Sequence, residues 1–161
     1  MGASLITTAS CGFLEPPRRR GKAPANDVAQ RIEVMIEDLF RLHDLNKDGV
    51  LSELELIKLN EKIALLHYGS DADKNAVKEK YKELFRTKLD PNGEPVAFQT
   101  FQRYMHNLLN DLDRDVRAQE MILEQFIEEA HSGRAAFHMT SLQSHTDAPF
   151  LSKIETLLDK R

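Results

Sequence analysis

The chain has 161 residues, 41% hydrophobic and 30% charged, with no Trp and a formal net charge of −4. That is apolar material enough for one core, and Cys11, the single cysteine, excludes an internal disulfide. Residues 1–25 carry four basic side chains against Glu15 alone, a net +3, and the remainder carries 18 basic and 25 acidic, a net −7. An acidic body disfavours nucleic acid as a partner and suits cations or basic helices.

Residues 1–25 read as a disordered basic arm, with Pro16-Pro17 and then Arg18 to Arg20. Besides a solvated tail, two roles fit its composition. Ser4, Thr7, Thr8, Ser10 and the arginines suit a transit peptide, which would make the location organellar rather than cytoplasmic. Gly2 and Cys11 ahead of a polybasic patch suit membrane association by acylation, although Ile6 stands where myristoylation wants Ser or Thr. No apolar run approaches the roughly 20 residues of a transmembrane helix.

From about Asp27 to His43 the spacing of Val28, Ile32, Met35, Ile36, Leu39 and Phe40 predicts an amphipathic helix. A second helix is expected from about Glu53 to His67, with Leu56, Leu59, Ile63 and Leu66 inward and Gly69 ending it. Ser70 or Asp71 would open a third, running to about Phe85 with Val77, Tyr81, Leu84 and Phe85 on its apolar face. Asp90-Pro91-Asn92-Gly93-Glu94-Pro95 is the strongest turn signal in the chain. A fourth helix begins near Phe98, with Phe101, Tyr104, Met105, Leu108 and Leu112 facing in. It continues or breaks at Asn110-Asp111 into a fifth, which ends near Ser132-Gly133 and has Leu112, Val116, Leu123, Ile127 and Ala130 as its stripe. Residues 133–146 lack periodicity and read as a loop. A final helix with Leu151, Ile154, Leu157 and Leu158 on one face either covers the core or occupies a partner groove.

Between the first two helices stands Asp44-Leu45-Asn46-Lys47-Asp48-Gly49-Val50-Leu51-Ser52-Glu53-Leu54-Glu55. Oxygen-bearing side chains alternate through Asp48 and a glycine follows. Ca²⁺ takes about 6–8 hard oxygen ligands, so a short loop must curl around it. Asp44, Asn46 and Asp48 would each give a side-chain oxygen, and Gly49 permits the bend that turns the Val50 carbonyl inward. Ser52 would ligate directly or through water, and Glu55 would close the sphere with both carboxylate oxygens. Three carboxylates around a divalent ion leave a formal −1.

This arrangement resembles the EF-hand of the calmodulin-like superfamily, whose pattern D-x-[DN]-x-[DN]-G, five residues, then E is met in full. The resemblance covers residues 28–67 strongly and 72–110 weakly. It implies an all-α fold: a paired EF-hand lobe over 26–110, with additional C-terminal helices in 111–161 and the arm in front. Hands come in pairs, and the second loop lies around Gly93. Matching Gly93 to Gly49 puts Lys88 opposite Asp44, Gln99 opposite Glu55 and Pro95 where Leu51 sits. Matching Val96 to Leu51 puts Thr100 opposite Glu55 and displaces Gly93 by one. Neither register supplies a closing carboxylate, so this hand is degenerate and serves as a packing partner.

Asp111-x-Asp113-x-Asp115 reads as an acidic helix start, since Val116 replaces the required glycine. His131, His138 and His145 lack the converging geometry of a zinc site. Met35, Met105 and Met121 fill the core or line a target groove. No nucleophile, phosphate loop or paired-acid pattern points to an enzyme. The expectation is a calcium-binding, calcium-responsive interaction module, a calcium sensor whose protein partner is an amphipathic helix or a larger assembly. The alternative is a structural subunit or adaptor in which Ca²⁺ only stabilises the fold.

Overall fold

The structure is a computed structural model and describes residues 25–138. The expected N-terminal arm before Ala25 and the final helix after residue 146 lie outside the described residues. Within them the chain is helical: α1 is Ala25–His43, α2 Glu53–Tyr68, α3 Lys74–Lys88, α4 Phe98–Leu112 and α5 Val116–Ala136. Two short strands, β1 at Val50–Leu51 and β2 at Val96–Ala97, pair antiparallel, with Leu51 opposite Val96 and Val50 opposite Ala97. No described helix is long and apolar enough to cross a membrane.

The helices form where capping and apolar spacing agree. In α1, Val28, Ile32, Ile36, Leu39 and Phe40 are all buried, one continuous face at helical spacing. Ser52 and Glu55 form a reciprocal capping box that opens α2. Asp73, rather than Ser70 or Asp71, caps α3 by accepting from the Asn75 and Ala76 amides. Gly69–Asp71 instead makes a single 3₁₀ turn. Asp115 caps α5, so the acidic triplet is a helix start.

α1, α2, α3 and α4 form two helix–loop–helix units joined by the β1–β2 ladder. Each entry helix stops just before its loop, at His43 and Lys88, and each exit helix opens two residues after the central ladder pair, at Glu53 and Phe98. That ladder decides between the two registers. Val96 is the counterpart of Leu51 and Thr100 that of Glu55. The register placing Lys88 opposite Asp44 and Gln99 opposite Glu55 is excluded, because it would put Pro95, which has no amide hydrogen, in the ladder. The units share a core in which Phe40 packs on Phe98 and Phe101 at ring separations of 5.4 and 5.5 Å.

Several expectations need correction. Leu109, not Leu112, centres the buried face of α4; Leu112 is 55% exposed at the end of the helix. Leu66 is likewise exposed, and α2 instead buries Ile57 and the stem of Lys62, whose ammonium lies 5.3 Å from the centroid of the Phe137 ring. Above all, α5 does not stop at Gly133. It runs to Ala136, and Gly133, Ala136 and Phe137 are buried rather than looped out. α5 packs along α1 and α2 and covers their shared apolar side. It crosses α2 closely at Gly133, where a Cβ would lie only 2.8 Å from Ile63 Cγ1.

Candidate metal centre

α1 and α2 hold the two ends of the loop. Asp44 directly follows α1, its amide donating to Phe40 O, and Glu55 lies in the first turn of α2. Both side chains are buried, Asp44 at 6% exposure and Glu55 at 1%. The chain bends between them through two left-handed residues, Lys47 at φ 56° and Gly49 at φ 84°. Glycine accepts that conformation freely, whereas at Lys47 it stores strain of order 1 kcal/mol.

The loop's own amides hold its oxygens in place. Asp44 Oδ1 accepts from the Asp48 amide at 3.1 Å and Oδ2 from the Gly49 amide at 2.9 Å. Asn46 Oδ1 also accepts from the Asp48 amide, and Asn46 Nδ2 donates to Asp48 Oδ2 at 3.0 Å. Asp48 Oδ1 accepts from the Val50 amide. Glu55 reaches across the loop: Oε1 accepts from the Asn46 amide at 3.1 Å, and Oε2 from the Ser52 amide at 2.9 Å and hydroxyl at 2.7 Å. Among the described residues no buried side-chain polar atom lacks a hydrogen-bond partner.

Those bonds satisfy oxygens without neutralising charge. Burial pushes the Asp44 carboxyl above its ordinary range; the Gly49 and Asp48 amides oppose this and the Asp48 charge adds to it. Burial likewise pushes Glu55 up against the pull of the Ser52 and Asn46 donors, and the Asp44 charge adds to it. Neither carboxylate has a Lys, Arg or His within ion-pair distance among the described residues. His43 beside them is held below its ordinary range by burial, against the pull of Leu39 O, with the Arg134 charge lowering it further.

No protein-family model, curated protein or solved structure matches this chain.

The hydrogen bonds link Asp44 with Asp48, Asn46 with Asp48, and Glu55 with Asn46 and Ser52. They do not converge the carboxylates: among the described residues no three His, Cys, Asp or Glu side chains stand together closely enough to hold a metal ion. The donor set nonetheless fits a hard divalent cation. Its side-chain donors are all oxygen, three are carboxylates, and each ionised carboxylate has about four lone-pair sites, more than its amide partners occupy. With no thiolate and no imidazole in the loop, a softer metal has little to bind.

The second loop is built differently. Leu89 takes the place of Asp44, Pro91 that of Asn46, Gly93 that of Asp48 and Thr100 that of Glu55. Asp90, at the counterpart of Leu45, accepts from the Asn92 and Glu94 amides and pins the turn. Gly93, at φ 76°, leaves room for the Arg86–Glu53 ion pair of 2.8 Å that ties α3 to the start of α2.

Proposed function

We propose that this protein is a calcium-binding protein of the EF-hand kind with one ion site, acting as a calcium-responsive protein-interaction module. The observation that carries this reading is the pair of buried carboxylates, Asp44 and Glu55, at the two ends of an oxygen-lined loop, neither with an ion-pair contact among the described residues. Burying ionised groups without a counter-charge in contact is costly, and a divalent cation is the counter-charge that oxygens alone can hold. Asp44, Asn46 and Asp48 would bind it through side-chain oxygens and Val50 through its carbonyl. Ser52 would bind directly or through water, and Glu55 through both carboxylate oxygens. The second loop, without a carboxylate at Leu89 or Thr100, is its structural partner, and one ion per chain follows.

A second reading has its own support. α5 already covers the α1–α2 face that a partner helix would use, so a structural subunit or adaptor, with Ca²⁺ only stabilising the fold, is the competing role. The two separate cleanly in solution. Calcium-dependent binding of a hydrophobic dye favours the module, and a rise in Tm without new apolar surface favours the subunit.

Calorimetric titration of the full chain with CaCl₂ tests the site. The expected result is a single site of simple isotherm. Glu55→Gln weakens it by about two orders of magnitude, the size of losing one unit charge in direct contact with a divalent ion. A wild type that takes up no calcium refutes the proposal.

A further inference from the structure

The end of α5 reaches the entrance of the ion loop. Arg134 Nη1 donates to the backbone carbonyls of Arg41 at 3.0 Å and Leu42 at 3.3 Å, in the last turn of α1, where helical carbonyls lack intrahelical partners. Arg134 and Asp44 line one cleft, together with Asp38, Lys47, Ile127 and His131. Arg41, at its rim, is tied to Glu37 and Asp38 on its own helix. Of the α5 residues lining the cleft, Arg134 is the one with a permanent charge. The guanidinium shares this cleft with Asp44 without an ion-pair contact; partial burial lowers its proton affinity, and the charges of Asp44 and Glu55 raise it again.

We propose that Arg134 is a charge latch. The carboxylates of the ion loop hold the last turn of α5 against α1 through this guanidinium, and a cation entering the loop weakens that hold. The inference rests on the cation reading of the loop and adds the coupling of that site to α5. Asp44, Asp48 and Glu55 present −3 to Arg134 when the loop is empty and −1 when a divalent ion sits among them. The latch is therefore tighter without the ion. Coupling between binding events is reciprocal, so an ion that loosens Arg134 is itself bound less tightly because Arg134 is there. The element released matters. The last turn of α5 carries Gly133, seated on Leu59 and Ile63, and is followed by buried Phe137. Loosening it uncovers the apolar side of α2, which is the surface a calcium-responsive module needs.

The test is calorimetric CaCl₂ titration of the full chain at low ionic strength, comparing wild type, Arg134→Gln and Arg134→Lys. Arg134→Gln retains amide donors for the α1 carbonyls and removes the charge. It should bind calcium about three- to tenfold more tightly, the effect of one unit charge facing a divalent ion across a solvent-exposed gap. Arg134→Lys should stay within about twofold of wild type, and the gain should shrink as added salt screens the charges. Amide hydrogen exchange on wild type needs no variant: saturating calcium should speed exchange at Ala135 to Phe137. Equal calcium affinity in wild type and Arg134→Gln, or slower exchange at those amides with calcium, overturns the latch while leaving the ion site standing. A wild type that binds no calcium overturns both.

Discussion

Gly133→Ala sets two effects of known size against each other. In an open helix the change would stabilise by about 1 kcal/mol, because Ala is the better helix former. Here the added methyl would lie 2.8 Å from Ile63 Cγ1, 3.0 Å from Leu59 Cδ1 and 3.4 Å from Leu59 O, where carbon atoms prefer about 3.5–4.0 Å. Leu59 is fully buried, and the third atom is backbone, so α5 itself must back away from α2. Overpacking of this kind costs about 1–3 kcal/mol. The net expectation is a loss of about 0–2 kcal/mol, seen as a fall in Tm of up to roughly 8 °C. Thermal unfolding followed by circular dichroism measures it, with Ser132→Ala on the exposed side of the same turn as the control that should gain slightly. The variant should also bind more hydrophobic dye without calcium, because the seat of α5 has been wedged. A Gly133→Ala protein more stable than wild type would show that α5 does not pack on α2 as described.

Leu123, buried at 0% exposure in the middle of α5, should cost about 2–5 kcal/mol when cut to Ala, measured by urea unfolding. Asp73→Ala removes the acceptor for two amides at the start of α3 and should cost about 1 kcal/mol in the same assay. Burial raises the Asp44 and Glu55 carboxyls above their ordinary values of 3.8 and 4.5. Their contribution to calcium-free stability is therefore full below those values and lost as pH rises through the raised ones. Urea unfolding in chelator from pH 4 to 7 should show Glu55→Gln falling less steeply with pH than wild type; identical slopes would refute the assignment.

The turn between α1 and α2 is legible in sequence because its structural positions are constrained separately: a left-handed bend at Gly49, an inward apolar residue at Leu51, a carboxylate at Glu55 that completes the cap of α2. The helical content and the face of α1 are legible for a related reason, since large apolar residues repeat at 3.6-residue spacing. The end of α5 is not. Its burial is achieved by close approach, and the residues that permit close approach are small, so they leave no hydrophobic signal. The available clue is that Ala130, Gly133 and Phe137 recur at three- and four-residue spacing, continuing the stripe from Leu123. The register of the second loop needed a partner to settle it. Gly93 and Val96 each suggest an alignment, and only the pairing of Val96 with Leu51 chooses. Arg134 carries no local signature at all, because its partners Arg41 and Leu42 are distant in the chain.

The placement of α5 would set how far an ion bound at the proposed site could act. On the proposed reading, calcium held at Asp44 and Glu55 would supply charge where the loop carries too much of one sign, so it should raise the stability of the folded chain as a whole. The same charge would act against Arg134 at the loop's entrance, so it should lower the local stability of the last turn of α5. Global tightening and local release are compatible because they draw on different parts of the structure. The first depends on α1, α2 and the β1–β2 ladder, the second on a single guanidinium and the turn that bears it. A protein that only used calcium as a staple would have every amide better protected when the ion is bound. Slower exchange across α1 and α2 together with faster exchange at Ala135 to Phe137 is the pattern that distinguishes a switch from a staple.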